Sequence, residues 1–289
     1  MELLFIVNPV SGNRIGKRFF EEQVKLQCGP DTRIVYTREP GHARTLAADA
    51  IADSSIDTVV AVGGDGTINE VATSLVNTEL TLGIVPVGSG NGLARSLKIP
   101  VNLRRAIEII RQKNTISIDV GRINGNYFFG VAGIGLDALI SSRFHKLQRR
   151  GALPYFYHGL MAYFKYDFPS FILADKDKEH INEPMLITIA NSTQYGNGAK
   201  IAPMADLQDG MLDVCIIRRM GFLKSVAQIP RLFRGTIESS NVYKTYRRSS
   251  FTIRSAESRD IFFHLDGEPY KAPSPLKIDL LQKALKVLV

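Results

Sequence analysis

Asp57-Thr58-Val59-Val60-Ala61-Val62-Gly63-Gly64-Asp65-Gly66-Thr67-Ile68-Asn69-Glu70-Val71-Ala72 reads as three pieces in a row. An apolar, β-branched run ends at Val62, a glycine turn follows, and a helical pattern begins at Ile68. Glycine lets a backbone approach a ligand closely and take conformations other residues resist. A helix N-terminus presents unpaired N–H groups and the positive end of its dipole, which suits phosphate. Asp65 adds a carboxylate to the same turn, of the kind that holds Mg²⁺ against phosphate oxygens. Taken alone, the turn is equally well read as strand-to-helix geometry and nothing more.

Two further loops of the same make change that balance. Val87-Gly88-Ser89-Gly90-Asn91-Gly92 follows the apolar run Leu82 to Pro86 and precedes the helical Leu93 to Leu97. Asn8-Pro9-Val10-Ser11-Gly12-Asn13 follows the strand-like Leu3 to Val7. In an open parallel sheet, such loops gather at the carboxyl edge, where ligands bind.

Outward from these loops the pattern alternates up to Ile118. Strand-like runs end at Val7, Tyr36, Val62 and Pro86, and helical patterns span Gly16 to Leu26, His42 to Ile51, Ile68 to Val76 and Leu93 to Leu97. Asn102 to Gln112 adds a helix with Asn102 as its cap. The spacing predicts an α/β domain over 1–118, a parallel sheet with helices on both faces. Over 119–289 the chain turns mostly β and sandwich-like, with its last strand expected to pack back on the first domain. Asn124-Gly125 predicts a hairpin turn, and strands are expected at Met185 to Ala190, Leu212 to Ile217, Ser250 to Ile253, Asp260 to Leu265 and Leu276 to Leu280. Helices are expected at Leu136 to Leu147, Tyr157 to Tyr166 and Phe222 to Phe233.

Hydrophobic residues at 45% and charged residues at 22% of 289 fit a globular chain with a substantial core, so disorder is not expected. A formal net charge of +8 favours anionic partners, among them acidic lipid surfaces and phosphorylated ligands. No nucleic-acid reading motif accompanies that charge, and no nucleic-acid partner is expected. Two cysteines, Cys28 and Cys215, make neither a disulfide framework nor a metal motif, and a reducing cytoplasm fits them. No stretch reaches the roughly 18 apolar residues of a membrane span, so membranes are expected to be met peripherally, at an inner surface. Arg143, Lys146, Arg149 and Arg150, followed by Tyr155, Phe156, Tyr157, Tyr163, Phe164, Tyr166, Phe168 and Phe171, admit two readings. One is a membrane-interface segment; the other is a helix packing its rings inward. A homodimer is a further expectation.

Six blocks in order resemble the diacylglycerol kinase catalytic family, over almost the whole chain. They are Asn8-Pro9-Val10-Ser11-Gly12, Gly63 to Val71, Gly88-Ser89-Gly90-Asn91, Gly133-Ile134-Gly135-Leu136-Asp137-Ala138, Tyr195 through Asp213, and Leu265-Asp266-Gly267-Glu268-Pro269. Gly63 to Thr67 alone is shared with NAD kinases and nearly with phosphofructokinases; the ordered set is far more specific. The resemblance implies a fold like theirs and an ATP-dependent kinase acting on a lipid hydroxyl, of diacylglycerol or sphingoid-base type. On it, Asn8, Pro9, Val10, Ser11, Gly12, Thr37, Gly63, Gly64, Asp65, Gly66, Thr67, Glu70, Ser89, Gly90 and Asn91 are expected at the ATP site. Asp65 would engage catalytic Mg²⁺. Asp266 and Glu268 are the candidates to take the acceptor proton, with Glu268 favoured. A second Mg²⁺ is implied at Asp209, with carbonyl oxygens of Asp206 and Met211. One departure stands out: Gly92 occupies a place where many bacterial relatives carry aspartate, which brings the loop closer to sphingosine kinases. A NAD kinase-like or other small-alcohol kinase, and a non-catalytic nucleotide- or lipid-binding regulator, stay open as alternatives.

Overall fold

The first six strands and helices follow the predicted alternation, and their order in space places the loops. In the computed structural model, residues 2–11, 16–145, 163–164, 166–175, 177–195 and 198–289 are described. The chain divides into two units, Met1–Val120 with Gln282–Val289, and Gly121–Leu281.

In the first unit, β1 (Glu2–Val7), β2 (Arg33–Tyr36), β3 (Ile56–Gly63) and β4 (Thr81–Pro86) lie in the order β2-β1-β3-β4, all parallel. α1 (Lys17–Cys28), α2 (His42–Ile51) and α3 (Asp65–Leu75) make the crossovers, and α4 (Gly92–Ser96) and α5 (Leu103–Gln112) follow β4. α1 packs with α5 and α2 with α3, one helix layer for each pair. Helix cover on both faces explains why β1, β3 and β4 read as near-continuous apolar runs. The chain leaves β1 toward β2 and leaves β3 toward β4. Between β1 and β3 the order therefore reverses, and the loops after both strands open at this switch point.

β5 (Thr115–Ile123) and β16 (Leu276–Leu288) run through both units. The end of β16 joins the first sheet, with Lys286 and Val287 parallel to Thr81 and Leu82 of β4. A bend at Lys283 (φ 50°) is held where its N–H donates to Oδ1 of buried Asp119 at 2.7 Å.

The second unit is a β sandwich. One antiparallel sheet runs β12 (Tyr243–Arg248), β11 (Leu212–Arg218), β10 (Pro184–Ala190), β7 (Val131–Gly135), β14 (Ile261–Leu265), β15 (Glu268–Ala272). Against it lie the first half of β16, β13 (Ser250–Ser255), β8 (Phe171–Ala174) and β9 (Lys178–Ile181), while β6 (Asn126–Phe128) pairs with β5. Ile134, Ile187, Val214, Phe251, Ile253, Phe263 and Ile278 fill the shared core. The Asn124-Gly125 turn has positive φ at both residues, the type I′ signature. α6 (Leu136–His145) and α7 (Phe222–Arg234) complete the unit.

Beyond β7 and β8, which were not predicted either, three strands had no sequence signal: β9, β12 and β15. Each is the end strand of its sheet and carries charge (Lys-Glu-His-Ile, Tyr-Lys-Thr-Tyr-Arg-Arg and Glu-Pro-Tyr-Lys-Ala), which blunts an open edge and erases apolar alternation. α3 starts at Asp65 rather than Ile68, because Gly64 is extended (φ −89°, ψ −174°) and helical geometry begins directly after it. Residues 146–162, including much of the basic and aromatic segment, lie outside the described residues. Of its rings, Phe168 and Phe171 are buried, Tyr163 and Tyr166 partly so, and Phe164 is exposed.

Candidate functional site

The two loops at the switch point are bonded to one another. Asn8, directly after β1, donates from Nδ2 to Thr67 Oγ1 in the first turn of α3 at 3.0 Å. Its own Oδ1 accepts the Val10 N–H (3.1 Å), folding the loop back on itself. Gly63 must be glycine here, since a Cβ would collide with the Thr67 side chain.

The third loop is fastened by Asp65. Oδ2 accepts the Asn91 N–H at 2.8 Å and Oδ1 accepts the Gly92 N–H at 2.7 Å. These are donors at the start of α4, so Asp65 caps that helix from the neighbouring one. Asn91, itself left-handed (φ 54°), closes the loop by accepting from Gly88 N–H (3.0 Å) and donating to Gly88 O (2.8 Å). The backbones meet almost without side chains between them: a Cβ at Gly88 would sit 2.6 Å from Gly64 Cα, and one at Gly90 2.7 Å from Asp65 Oδ2. Ser89 is left exposed at the loop tip. Glu70 does for α2 what Asp65 does for α4, with Oε1 accepting Gly41 N–H (2.9 Å) and Oε2 accepting Ala43 N–H (3.1 Å). Both carboxylates of α3 are thus engaged by backbone donors.

Beside these loops lies a cavity of about 500 Å³, lined by Asn8, Pro9, Ser11, Lys17, Tyr36 and Val87 among others. Its size is that of a small-molecule site. Lys17 and Tyr36 were not foreseen. Lys17 Nζ lies 4.5 Å from the centre of the Tyr36 ring, and the Tyr36 hydroxyl donates to Glu21 Oε1 at 2.9 Å. Burial, then that bond to Glu21, pushes the Tyr36 phenol above its ordinary range, so it stays a protonated wall of the cavity. Thr37 is tied at its start, where its N–H donates to Val7 O (2.9 Å). Val10 is exposed, and Gly12 lies outside the described residues. A second hollow of about 610 Å³, in the other unit, is lined by Glu179, Glu183, Arg219 and Lys244. Both of its carboxylates already pair, Glu183 with Arg219 at 2.6 Å and Glu179 with Lys244 at 2.7 Å, so the cavity by the glycine loops is the better candidate.

In the second unit, Asp266 and Gly267 form a hairpin turn with positive φ at both (49° and 91°), and Leu265 pairs with Glu268 across it. Asp266 and Glu268 therefore do not share one strand face. The Asp266 carboxylate is held by three backbone donors: Phe129 N–H (2.8 Å), Gly130 N–H (2.8 Å) and Val131 N–H (3.0 Å). Glu268 stands exposed at the start of β15. Beneath the turn lies a buried polar chain that the sequence did not connect, although Asp137 and Tyr195 stand in two of the six blocks. His264 Nδ1 accepts the Gly267 N–H at 3.3 Å, and its Nε2 faces Asp137 Oδ2. That oxygen also accepts from the Tyr195 hydroxyl at 3.1 Å, and Tyr195 in turn bonds Thr188. The register explains the grouping. Gly133 of β7 stands between Thr188 of β10 and His264 of β14, and a Cβ there would collide with both Asp137 Oδ2 and His264 Nε2.

Asp209 does not stand open. Its Oδ1 accepts the Met211 N–H (2.9 Å), its Oδ2 is paired with Arg247, and Asp206 Oδ1 accepts the Gln208 N–H (3.0 Å). Among the described residues no group of three or more His, Cys, Asp or Glu side chains could hold a metal ion. Arg247 thus places a positive charge directly against the Asp209 carboxylate.

The loops and hairpin match a known family. The diacylglycerol kinase catalytic domain matches residues 2–123, and the YegS C-terminal NAD kinase beta sandwich-like domain matches 130–289. The chain belongs to the diacylglycerol kinase catalytic family of lipid kinases. It is 32% identical to the "Probable lipid kinase YegS-like" of Yersinia pestis (strain Pestoides F) over 269 residues, 90% of this chain and 88% of that one. It is 28% identical to the diacylglycerol kinase of Mycobacterium tuberculosis (strain ATCC 25618 / H37Rv) over 293 residues, 98% of this chain and 93% of that one. A diacylglycerol kinase crystal structure from Bacillus anthracis str. Sterne superposes with a TM-score of 0.77 at 22% identity, covering 99% of this chain and 96% of the other. At that identity the likeness speaks to fold, and the fold is the family's α/β domain and β sandwich. Among the described residues no helix is long and apolar enough to cross a membrane.

Proposed function

We propose that this lipid kinase moves the γ-phosphoryl group of ATP to the hydroxyl of a diacylglycerol or sphingoid-type lipid, and meets that lipid at an anionic membrane surface. The observation that carries the ATP reading is the double grip of Asp65 on Asn91 and Gly92. It holds two glycine loops so close that only bare backbone lies between them, which leaves their edges free for phosphate oxygens. The neighbouring cavity fits the rest of a nucleotide. Val87 and Tyr36 give it apolar walls, and Lys17 gives it one cation. Asn8 and Ser11 orient the phosphates by hydrogen bonds, and Glu70 keeps α2 and α3 in register behind them.

Each Asp65 oxygen accepts one N–H and keeps acceptor capacity, so Asp65 together with phosphate oxygens fits Mg²⁺. Bound there, Mg²⁺ would draw charge off the transferring phosphoryl group. The Asp209 loop fits a second Mg²⁺ poorly, since Arg247 already pairs with that carboxylate. Glu268 takes the proton of the acceptor hydroxyl. Asp266, committed to three N–H groups, instead keeps the hairpin in shape. General-base assistance of this kind contributes about 10²–10⁴-fold.

The test uses purified full-length protein, labelled ATP with Mg²⁺, and dispersed diacylglycerols, sphingoid bases and soluble alcohols including NAD. Transfer to a lipid, abolished by Asp65→Ala and reduced at least about 100-fold by Glu268→Gln, is expected. Transfer only to a soluble acceptor would favour the small-alcohol kinase. Nucleotide binding without any product would favour the regulator, the reading that Gly92 in place of an aspartate supports.

A further inference from the structure

α7 is the odd helix of the second unit. Its sequence is Phe-Leu-Lys-Ser-Val-Ala-Gln-Ile-Pro-Arg-Leu-Phe-Arg, strongly amphipathic, and none of its 13 residues is buried. It is seated on the unit where Leu232 packs against the cluster that includes Ile201 and Ile237, and Gln228 Oε1 accepts from the Ser240 hydroxyl at 2.9 Å. The opposite face should be polar if water were its only neighbour. It is not. Positions 223, 227, 230 and 234 recur at i, i+4, i+7 and i+11, and they are Leu, Ala, Pro and Arg.

Leu223 on this face is 81% exposed, and Phe233, which helical spacing groups with Phe222, Val226 and Ile229 on the adjoining side, is 56% exposed. Phe164, 69% exposed, extends the apolar area by lying against Phe222 with ring centres 5.4 Å apart. Lys224 and Arg234 are exposed beside them, Arg231 is partly so, and no acidic residue occurs anywhere in the helix. Large exposed apolar groups set among cations alone do not suit water, and they do not suit a neutral apolar partner. They suit a surface that is apolar below and anionic on top. Basic amphipathic helices of this make lie in the headgroup plane, their cations against lipid phosphates and their apolar groups sunk among acyl chains.

We propose that the outward face of α7, with exposed Phe233 and Phe164 beside it, is the surface by which this protein docks on an anionic lipid bilayer. This deepens the peripheral-membrane part of the proposed function by naming the element that makes the contact. It uses none of the residues assigned to nucleotide or proton transfer.

The experiment is cosedimentation of the full-length protein with vesicles of phosphatidylcholine containing 30% phosphatidylglycerol, and with vesicles of pure phosphatidylcholine (the 30% is roughly a bacterial-like anionic fraction, chosen for surface potential). Two double variants are compared with wild type, Leu223→Gln with Phe233→Gln, and Lys224→Glu with Arg234→Glu. Wild type should bind the anionic vesicles at least about tenfold better than the neutral ones. Each double variant should lose at least about tenfold of that binding. Phosphorylation of a short-chain acceptor dissolved without vesicles should stay within about twofold of wild type, which separates docking from folding and catalysis.

Wild-type binding by both variants would overturn the proposal, as would equal wild-type binding to neutral and anionic vesicles. Loss of vesicle binding in both variants with normal circular dichroism would uphold it even if no lipid were phosphorylated. Failure of the kinase reading is thus distinguishable from failure of this one.

Discussion

Nε2 of His264 lies 3.5 Å from Oδ2 of Asp137, with the two side chains only 3% and 7% exposed. Because Nδ1 accepts the Gly267 N–H, a neutral ring carries its proton on Nε2, pointing at the carboxylate. The pair thereby links the first turn of α6 to the hairpin that presents Glu268. Removing the buried ring would strip Asp137 of one partner, break the bond to the Gly267 N–H and leave a void in the packed unit. His264→Ala is therefore expected to cost about 2–3 kcal/mol, read as a lowered urea midpoint at unchanged m-value. A loss below about 0.5 kcal/mol would show that the chain beneath the hairpin carries little of the unit's stability.

Asp65 makes a second, independent prediction. An asparagine there has one acceptor oxygen in place of two, so it can serve Asn91 N–H or Gly92 N–H but not both. Asp65→Asn should lower stability by about 1–2 kcal/mol and kcat by at least about 100-fold. Gly90→Ala, whose Cβ would stand 2.7 Å from Asp65 Oδ2, should mimic the kinetic loss while leaving the carboxylate in place. Steady-state kinetics on both variants decide the matter. A Gly90→Ala enzyme with wild-type kcat would show that the spacing of these loops is not what the reaction needs.

The parts of this site that were legible in sequence are those where backbone chemistry dictates residue type. Gly63, Gly88 and Gly90 could be read because close approach admits nothing else, and the three strands before the loops because two-sided burial makes them apolar throughout. The partners were not legible. Asp65 meets Asn91 across 26 positions, and Asp137 meets His264 across 127, by a register that no local pattern encodes. Gly133 was a clue, since a glycine in a central strand signals that something presses on it. Charged edge strands such as Tyr243–Arg248 escaped for the opposite reason: they lack the alternation that burial on one face imposes.

Glu70 and Lys17 separate scaffold from ligand contact. Glu70 spends both oxygens on the N-terminus of α2, so Glu70→Gln should cost about 1 kcal/mol of stability and leave the KM for ATP within about twofold. Lys17 lines the cavity and sits over the Tyr36 ring. Lys17→Ala should raise the KM for ATP about tenfold with little change in unfolding midpoint. Measuring KM and the urea midpoint on both variants checks the pair. The reverse pattern, with Glu70→Gln weakening ATP and Lys17→Ala silent, would move the nucleotide away from this cavity.

The two thiols should differ in reactivity. Burial pushes the Cys215 thiol up to about 12, outweighing the hydrogen bonds it receives, including one from the Tyr243 hydroxyl at 2.9 Å. Cys28 is raised as well, by burial against the opposing pull of Arg111, but it is only partly covered. The thiolate is the nucleophile, so at pH 8 Cys215 should hold its proton and stay inert, while Cys28 reacts slowly. A thiol reagent absorbing on release should then titrate about one group in the native protein and two in urea. The native rate should rise with pH through the Cys28 range, because only loss of that proton creates the nucleophile. Prompt labelling of Cys215 in the folded state, located by peptide mass, would mean that β11 opens far more readily than its packing between β10 and β12 allows.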